Sequence, residues 1–311
     1  MPYCLKPGHT VARDIHHIIA RQLARAEPAL DATSDPTHDH AVHEARRHLK
    51  KTLAALRLVR SPLGSDYAAA LARIKIASRM LAPIADAEAL VDTVDALCGN
   101  HALRGLDRAD VRAIRTGLAQ RQLRVDRKAT VDDVLKKVKH LLAAQRQQIE
   151  GWSLQARGFE SIAPGLERTV RKTRRAMEHT IERPTSAAYH AWRRRVKDLW
   201  FQVRLVERRC GYGLSEERSR LETLDELLGQ CHNLSLLQQA LVADPPVSRP
   251  ALARCLRIVR SMRADLRRQA LAEGAALLRD KPRTFVRRVE GLWNDTARHT
   301  QARETPPCPR T

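Results

Sequence analysis

The chain has 311 residues, 43% of them hydrophobic, which is enough to bury a sizeable core in one large domain or two small ones. Lys and Arg number 56 against 35 Asp and Glu, so the formal net charge is +21 and the sequence pI is near 10.6. A field of that sign repels itself in a compact chain and is useful against an anion; with aromatic residues at only 4%, base-stacking platforms are scarce, and the charge points to phosphate rather than to bases.

In chain order, Met1-Pro-Tyr-Cys-Leu-Lys6 lacks the basic and apolar blocks of a signal peptide. No apolar run approaches the ~20 residues that span a bilayer. A soluble, cytoplasmic protein without a membrane partner is expected. Thr33 to Thr37 reads as a loop leading into a helix over Ala41 to Arg60. There Val42, Ala45, Leu49, Thr52, Leu56 and Val59 form an apolar seam at a/d spacing, and His43, Lys50 and Arg57 stand seven apart on a neighbouring stripe. Arg46 and Arg47 fill the same face. Pro62 with Gly64, Pro83, Gly99-Asn100, Pro164-Gly165 and Pro184 then cut the chain into helix-length intervals. Arg168, Arg171, Lys172, Arg174 and Arg175 lie on a second basic helix.

The following helix repeats the first. Ala188-Tyr-His-Ala-Trp-Arg-Arg-Arg-Val-Lys197 aligns with Ala41-Val-His-Glu-Ala-Arg-Arg-His-Leu-Lys50 at an offset of 147 residues. His190, Arg193, Arg194, Lys197 and Arg204 thereby fall on His43, Arg46, Arg47, Lys50 and Arg57. Its seam is Tyr189, Trp192, Val196, Leu199, Val203 and Val206, and both Trp192 and Trp200 read as core. Without a gap, the same offset sets Leu81-Ala-Pro-Ile-Ala-Asp86 on Leu228-Gly-Gln-Cys-His-Asn233. Asp86 and Asn233 read as equivalent N-caps. The chain is a duplicated unit divided near residue 160. An all-α fold follows, with two duplicated antiparallel helical bundles of about four helices each in pseudo-twofold relation.

Arg254, Arg257, Arg260, Arg263, Arg267 and Arg268 lie on a later helix without repeat support and read as solvated surface. Thr305 onward cannot be helix. The six cysteines (Cys4, Cys98, Cys210, Cys231, Cys255 and Cys308) form no CxxC pair or zinc quartet and read as reduced thiols. His38, His40 and His43, or His16 with His17, lack a neighbouring acidic or Cys ligand at metal spacing, so neither metal nor cofactor is expected. No P-loop, GxSxG, HExxH or Gly-rich nucleotide fingerprint occurs, and no acidic cluster that would hold a metal for phosphoryl transfer is evident. A binding protein rather than an enzyme is expected.

Val42 to Lys51 and Tyr189 to Leu199 resemble the two signature helices of the CHAD family (conserved histidine α-helical domain), and Leu81 to Leu90 and Leu227 to Leu236 resemble its follow-on motif. Ala85 departs where the family often has Arg, and Asn233 where it often has Asp. Lys281 to Trp293 is similar to the closing helix, with Trp293 a packing residue. The resemblance spans about residues 8–297 as one domain of two halves, about 8–160 and 161–297, leaving 298–311 as a disordered tail. It implies paired helical bundles around a basic central groove that binds inorganic polyphosphate, in some members at polyphosphate granules. It places His43, Arg46, Arg47, Lys50, Lys51 and Arg57, with His190, Arg193, Arg194, Lys197 and Arg204, along that groove. Arg171 and Arg175 are the expected inward pair of the bordering helix. Affinity is expected to fall with salt and to strengthen as pH drops through the histidine range near ~6.5. Nucleic acid held in the same groove is the alternative.

Overall fold

The computed structural model describes residues 3–30, 38–99, 102–126 and 130–304. Within them the apolar periodicity becomes helices, with no strand. The first half holds α1 (Val11–Ala26), α2 (His38–Leu58), a four-residue α3 (Arg60–Leu63), α4 (Asp66–Met80), α5 (Ala82–Gly99), α6 (Arg108–Asp126) and α7 (Thr130–Glu150). The second holds α8 (Ala163–Glu182), α9 (Ser186–Val206), α10 (Ser215–Ala243), α11 (Arg249–Leu277) and α12 (Pro282–Glu304). Shifted by 147 residues, α1, α2, α6 and α7 overlap α8, α9, α11 and α12, while α4 and α5 together overlap α10. Each half thus has five principal helical positions rather than about four. α12 continues past residue 298 to Glu304; residues 305–311 and the Thr33–Thr37 loop lie outside the described residues.

Local chemistry sets the boundaries. The hydroxyls of Thr10 and Thr185 accept from the backbone N–H groups of Arg13 (3.3 Å) and Ala188 (3.1 Å), capping α1 and α9. Pro83, in the first turn of α5, has no N–H to give to the preceding turn, so α4 and α5 are separate helices. Gln230 stands at the corresponding place in the second half, and α10 runs through without a break. Asp86 and Asn233 therefore lie inside α5 and α10 and are not N-caps.

All twelve seam residues of α2 and α9 are buried, Trp192 completely. The two helices pack on one another, and Gln202 of α9 donates to the Ala54 carbonyl of α2 at 3.0 Å in the buried interface. α8 closes on the end of α2 through Gly165, where a Cβ would stand 1.9 Å from the Leu58 carbonyl oxygen.

The apolar core is not divided by half. One cluster joins α1, α2, α4, α7, α8, α9, α12, the start of α10 through Leu228 and the end of α11 at Ala270. The other joins α5, α6, α11 and the rest of α10 from Leu234. α10 leaves one cluster for the other between those residues, and α5 does the same between Ala85 and Val94. Polar and titratable residues concentrate at this crossing.

Candidate polyanion site

Four helices close a ring at the crossing: α2 packs against α5 and α9, and α10 packs against the same two. Side chains bridge the ring from each member. Arg46 of α2 donates to Asp86 of α5 at 3.3 Å. Lys197 of α9 donates to Asp225 of α10 at 2.5 Å, and Arg193 Nε lies 3.9 Å from the same carboxylate. Arg193 rests against Gly229 of α10, where a Cβ would meet its guanidinium at 3.1 Å, and its Nε is buried without a hydrogen-bond partner. His190 of α9 and His232 of α10 face each other with Nδ1 atoms 3.2 Å apart, one ring donating to the other. Lys50 of α2 is coupled electrostatically to Arg46, Arg193 and Lys197, and His43 to Lys50, Arg46 and Lys197. The basic faces of the duplicated helices thus meet.

Ionisation reflects that crowding. Burial, then the like charges of Arg46, Lys197 and Arg193, push Lys50 down to about 7, and Asp225 only partly opposes them. Burial and the Arg194 and Arg193 guanidiniums hold His190 at about 4. Burial and the facing His190 hold His232 at about 3. His43 is lowered as well, by burial and Lys50. His190 and His232 are therefore neutral near pH 6.5, and the group that titrates near neutrality is Lys50. The histidine-range pH response expected from sequence moves to this lysine.

The remaining sequence-predicted residues flank the ring. Arg57 forms an ion pair with the buried Asp198, which Arg195 also reaches at 3.5 Å. Lys51 is buried, its ammonium 5.7 Å from the Tyr3 ring centroid, and burial with Arg47 and Arg204 nearby lowers it to about 8. Arg204 lies 4.9 Å from the Trp200 ring and Lys197 lies 5.4 Å from it, so Trp200 is a half-buried edge between two cations rather than interior core. Arg47 is exposed and pairs with Glu44 at 2.9 Å; Arg194 is exposed beside His190.

Arg171 and Arg175 are not the inward pair of α8. Both are exposed, and Arg171 pairs with Glu167, which Arg283 of α12 approaches at 3.8 Å. The buried seam of α8 (Leu166, Val170, Thr173 and Met177) instead leaves Arg168 and Lys172 beside Arg57, Arg60 and Arg195. Lys75 of α4 faces Arg57, Arg195 and Arg194. Sequence reasoning also passes over Asp225 and His232, seven residues apart on one face of α10, because their repeat positions are Ser78 and Ala85. On α11 the solvated-surface reading fails at Arg263, which is buried, and at Arg267, whose Nε is buried. The side chains of His38 and His40 lie outside the described residues.

Among the described residues no helix is long and apolar enough to cross a membrane. No curated protein matches the sequence. Two solved structures resemble this one over most of their length, and at their low identities the likeness shows the fold. The crystal structure of the CHAD domain from the plant Ricinus communis has a TM-score of 0.60 at 14% identity, covering 89% of this chain and 94% of its own. PptA from Streptomyces chartreusis has a TM-score of 0.53 at 16% identity, covering 93% of this chain and 99% of its own. The family description "CHAD domain" matches residues 17–242, which takes in α2, α9 and all four helices of the ring, and the chain belongs to the CHAD domain family.

Proposed function

We propose that the protein binds inorganic polyphosphate in a basic groove between α2 and α9, as a binding module with no reaction of its own. The supporting observation is the unbalanced cluster in the four-helix ring. Among the described residues Arg46, Lys50, Arg193 and Lys197 meet only Asp86 and Asp225, and burial together with this crowding of like charge drives Lys50 to about 7. A flexible polyanion supplies the missing charge. Guanidiniums fork onto its phosphate oxygens, ammonium groups act as point charges, and neutral imidazoles donate N–H groups.

The flanking pairs support a track through the two-fold arrangement expected from the duplication. Exchanging the halves by 147 residues turns the Arg57–Asp198 pair into Arg204–Lys51, and Lys51 and Arg204 are indeed coupled. The proposed cellular setting is the cytoplasm, with polyphosphate granules as a corresponding place of association.

Competition tests the ligand. Protein held on immobilised polyphosphate is challenged with free polyphosphate, tripolyphosphate, RNA and heparin at equal concentrations of charged groups. Free polyphosphate is expected to release it at roughly tenfold lower concentration than RNA or heparin. RNA acting as well as polyphosphate would transfer the site to the nucleic-acid reading.

A further inference from the structure

Lys50 and Lys197 hold matching positions on α2 and α9, yet only one of them is paired. Lys197 donates to Asp225 of α10. Among the described residues no hydrogen bond or ion pair reaches the side chain of Lys50, which is partly exposed. The position that Asp225 holds on α10 is taken on α4 by Ser78, 147 residues earlier, and α4 packs on α2 as α10 packs on α9. The Ser78 hydroxyl is buried without a hydrogen-bond partner. The first half therefore lacks the carboxylate that the second half supplies from its own chain, and an amine and a hydroxyl are left unpaired.

The surroundings favour a negative charge on that amine. Arg46 of α2 and Arg193 and Lys197 of α9 act on Lys50 as like charges, with Asp225 opposing them. Arg193 Nε is buried and has no acceptor. Unpartnered buried donors are costly, and an anion among them removes the cost. Burial and the neighbouring cations also hold Lys50 at about 7 against 10.5 for an ordinary lysine. In mildly alkaline solution its amine is thus mostly unprotonated and nucleophilic, while solvated lysines keep their proton.

We propose that Lys50 is a carboxylation site, whose Nζ takes up carbon dioxide and becomes the carboxylate that the first half lacks. The amine lone pair forms an N–C bond to CO2, one C=O π pair moves onto oxygen, and an N–H proton leaves to solvent. No oxidant or reductant is involved. The product is a carbamate anion, an acceptor for guanidinium N–H groups such as those of Arg46 and Arg193. Carboxylation exchanges a cation for an anion, so it opposes polyphosphate at the same residue, a consequence that rests on the function proposed above.

The full chain is equilibrated at about pH 8 with ¹³C-labelled CO2 and bicarbonate, in the absence of polyphosphate, and observed by ¹³C NMR. The carbamate is then fixed by ethylation with a trialkyloxonium salt and located by tandem mass spectrometry. A carbamate resonance apart from those of bicarbonate and CO2 is expected, with the ethylated group on Lys50. The label is expected to be lost in Lys50→Met and kept in Lys51→Met, which removes the neighbouring lysine that is lowered to about 8. Ser78→Asp restores a carboxylate to the first half and is expected to reduce labelling by about tenfold or more, because a nearby carboxylate returns the proton to the amine. No label on Lys50, or labelling as full in Ser78→Asp as in wild type, overturns the proposal. The label is mapped on the wild-type chain, so the result stands even where Lys50→Met fails to fold. Because no polyphosphate is present, either result leaves the polyphosphate reading to its own test.

Discussion

Lys50 shows how one side chain reports on its site. Its ammonium is held at about 7, far below the usual 10.5, mainly by burial and then by three neighbouring cations. Between those two values the unfolded chain holds more protons than the folded one. The penalty is fully present below about pH 7 and relaxes as pH rises toward 10.5, so the unliganded protein is expected to gain thermal stability from pH 7 to 9.5. A bound polyanion favours the protonated amine. Affinity is therefore expected to rise as pH falls from 9 to 7 and to level off below. Lys50→Met should flatten Lys50's part of both profiles, measured by melting and by equilibrium binding; unchanged slopes would remove this lysine from the site. The spacing of His43, Lys50 and Arg57 was legible in the sequence, but the ionisation of Lys50 was not. It depends on Arg193, Lys197 and Asp225, more than 140 residues away and on other helices.

At the scale of elements, the seams of α2 and α9 were fully legible because a/d spacing states which face is buried whatever covers it. What covers it was less so. On α8 the basic residues outnumber the seam, and the side chains set beside Arg57, Arg60 and Arg195 are those of Arg168 and the exposed Lys172, while Arg171 pairs with Glu167. The supposed caps Asp86 and Asn233 failed because a helix can run through a motif, as α10 does, when no proline stops it. Asp86 instead holds Arg46. α10 contributes through what it lacks: Gly229 leaves room for the Arg193 guanidinium. Gly229→Ala meets only the end of a flexible side chain, so its melting temperature is expected to stay close to wild type. Displacing Arg193 should weaken polyphosphate binding by on the order of 1 kcal/mol, about fivefold, as for one typical hydrogen bond. Binding equal to wild type would show that Arg193 does not need its place on α10.

Over the whole molecule, a 147-residue register was legible in the sequence, and the helix order is compatible with it. How the halves share their core was not, because self-similarity relates segments without saying which pack together. Both apolar clusters draw on both halves, α2 buries its seam partly against α9, and the Leu5 N–H donates to the Leu205 carbonyl at 2.7 Å across the division. A fragment ending at residue 160 is therefore expected to lack cooperative unfolding, measured by calorimetry; a sharp transition in that fragment would show that each half folds alone. The sharing also has a functional consequence, since α2 and α9 face the same ring only when both halves are present. Reversing one charge on each helix, Arg46→Glu with Arg193→Glu, tests that convergence most directly by equilibrium binding to long-chain polyphosphate, with a melting curve as control. Both residues lie off the buried seams, so the variant is expected to melt cooperatively and to lose binding by about a hundredfold or more, the scale for two charged hydrogen bonds. A folded double variant that binds polyphosphate as tightly as wild type would contradict the account.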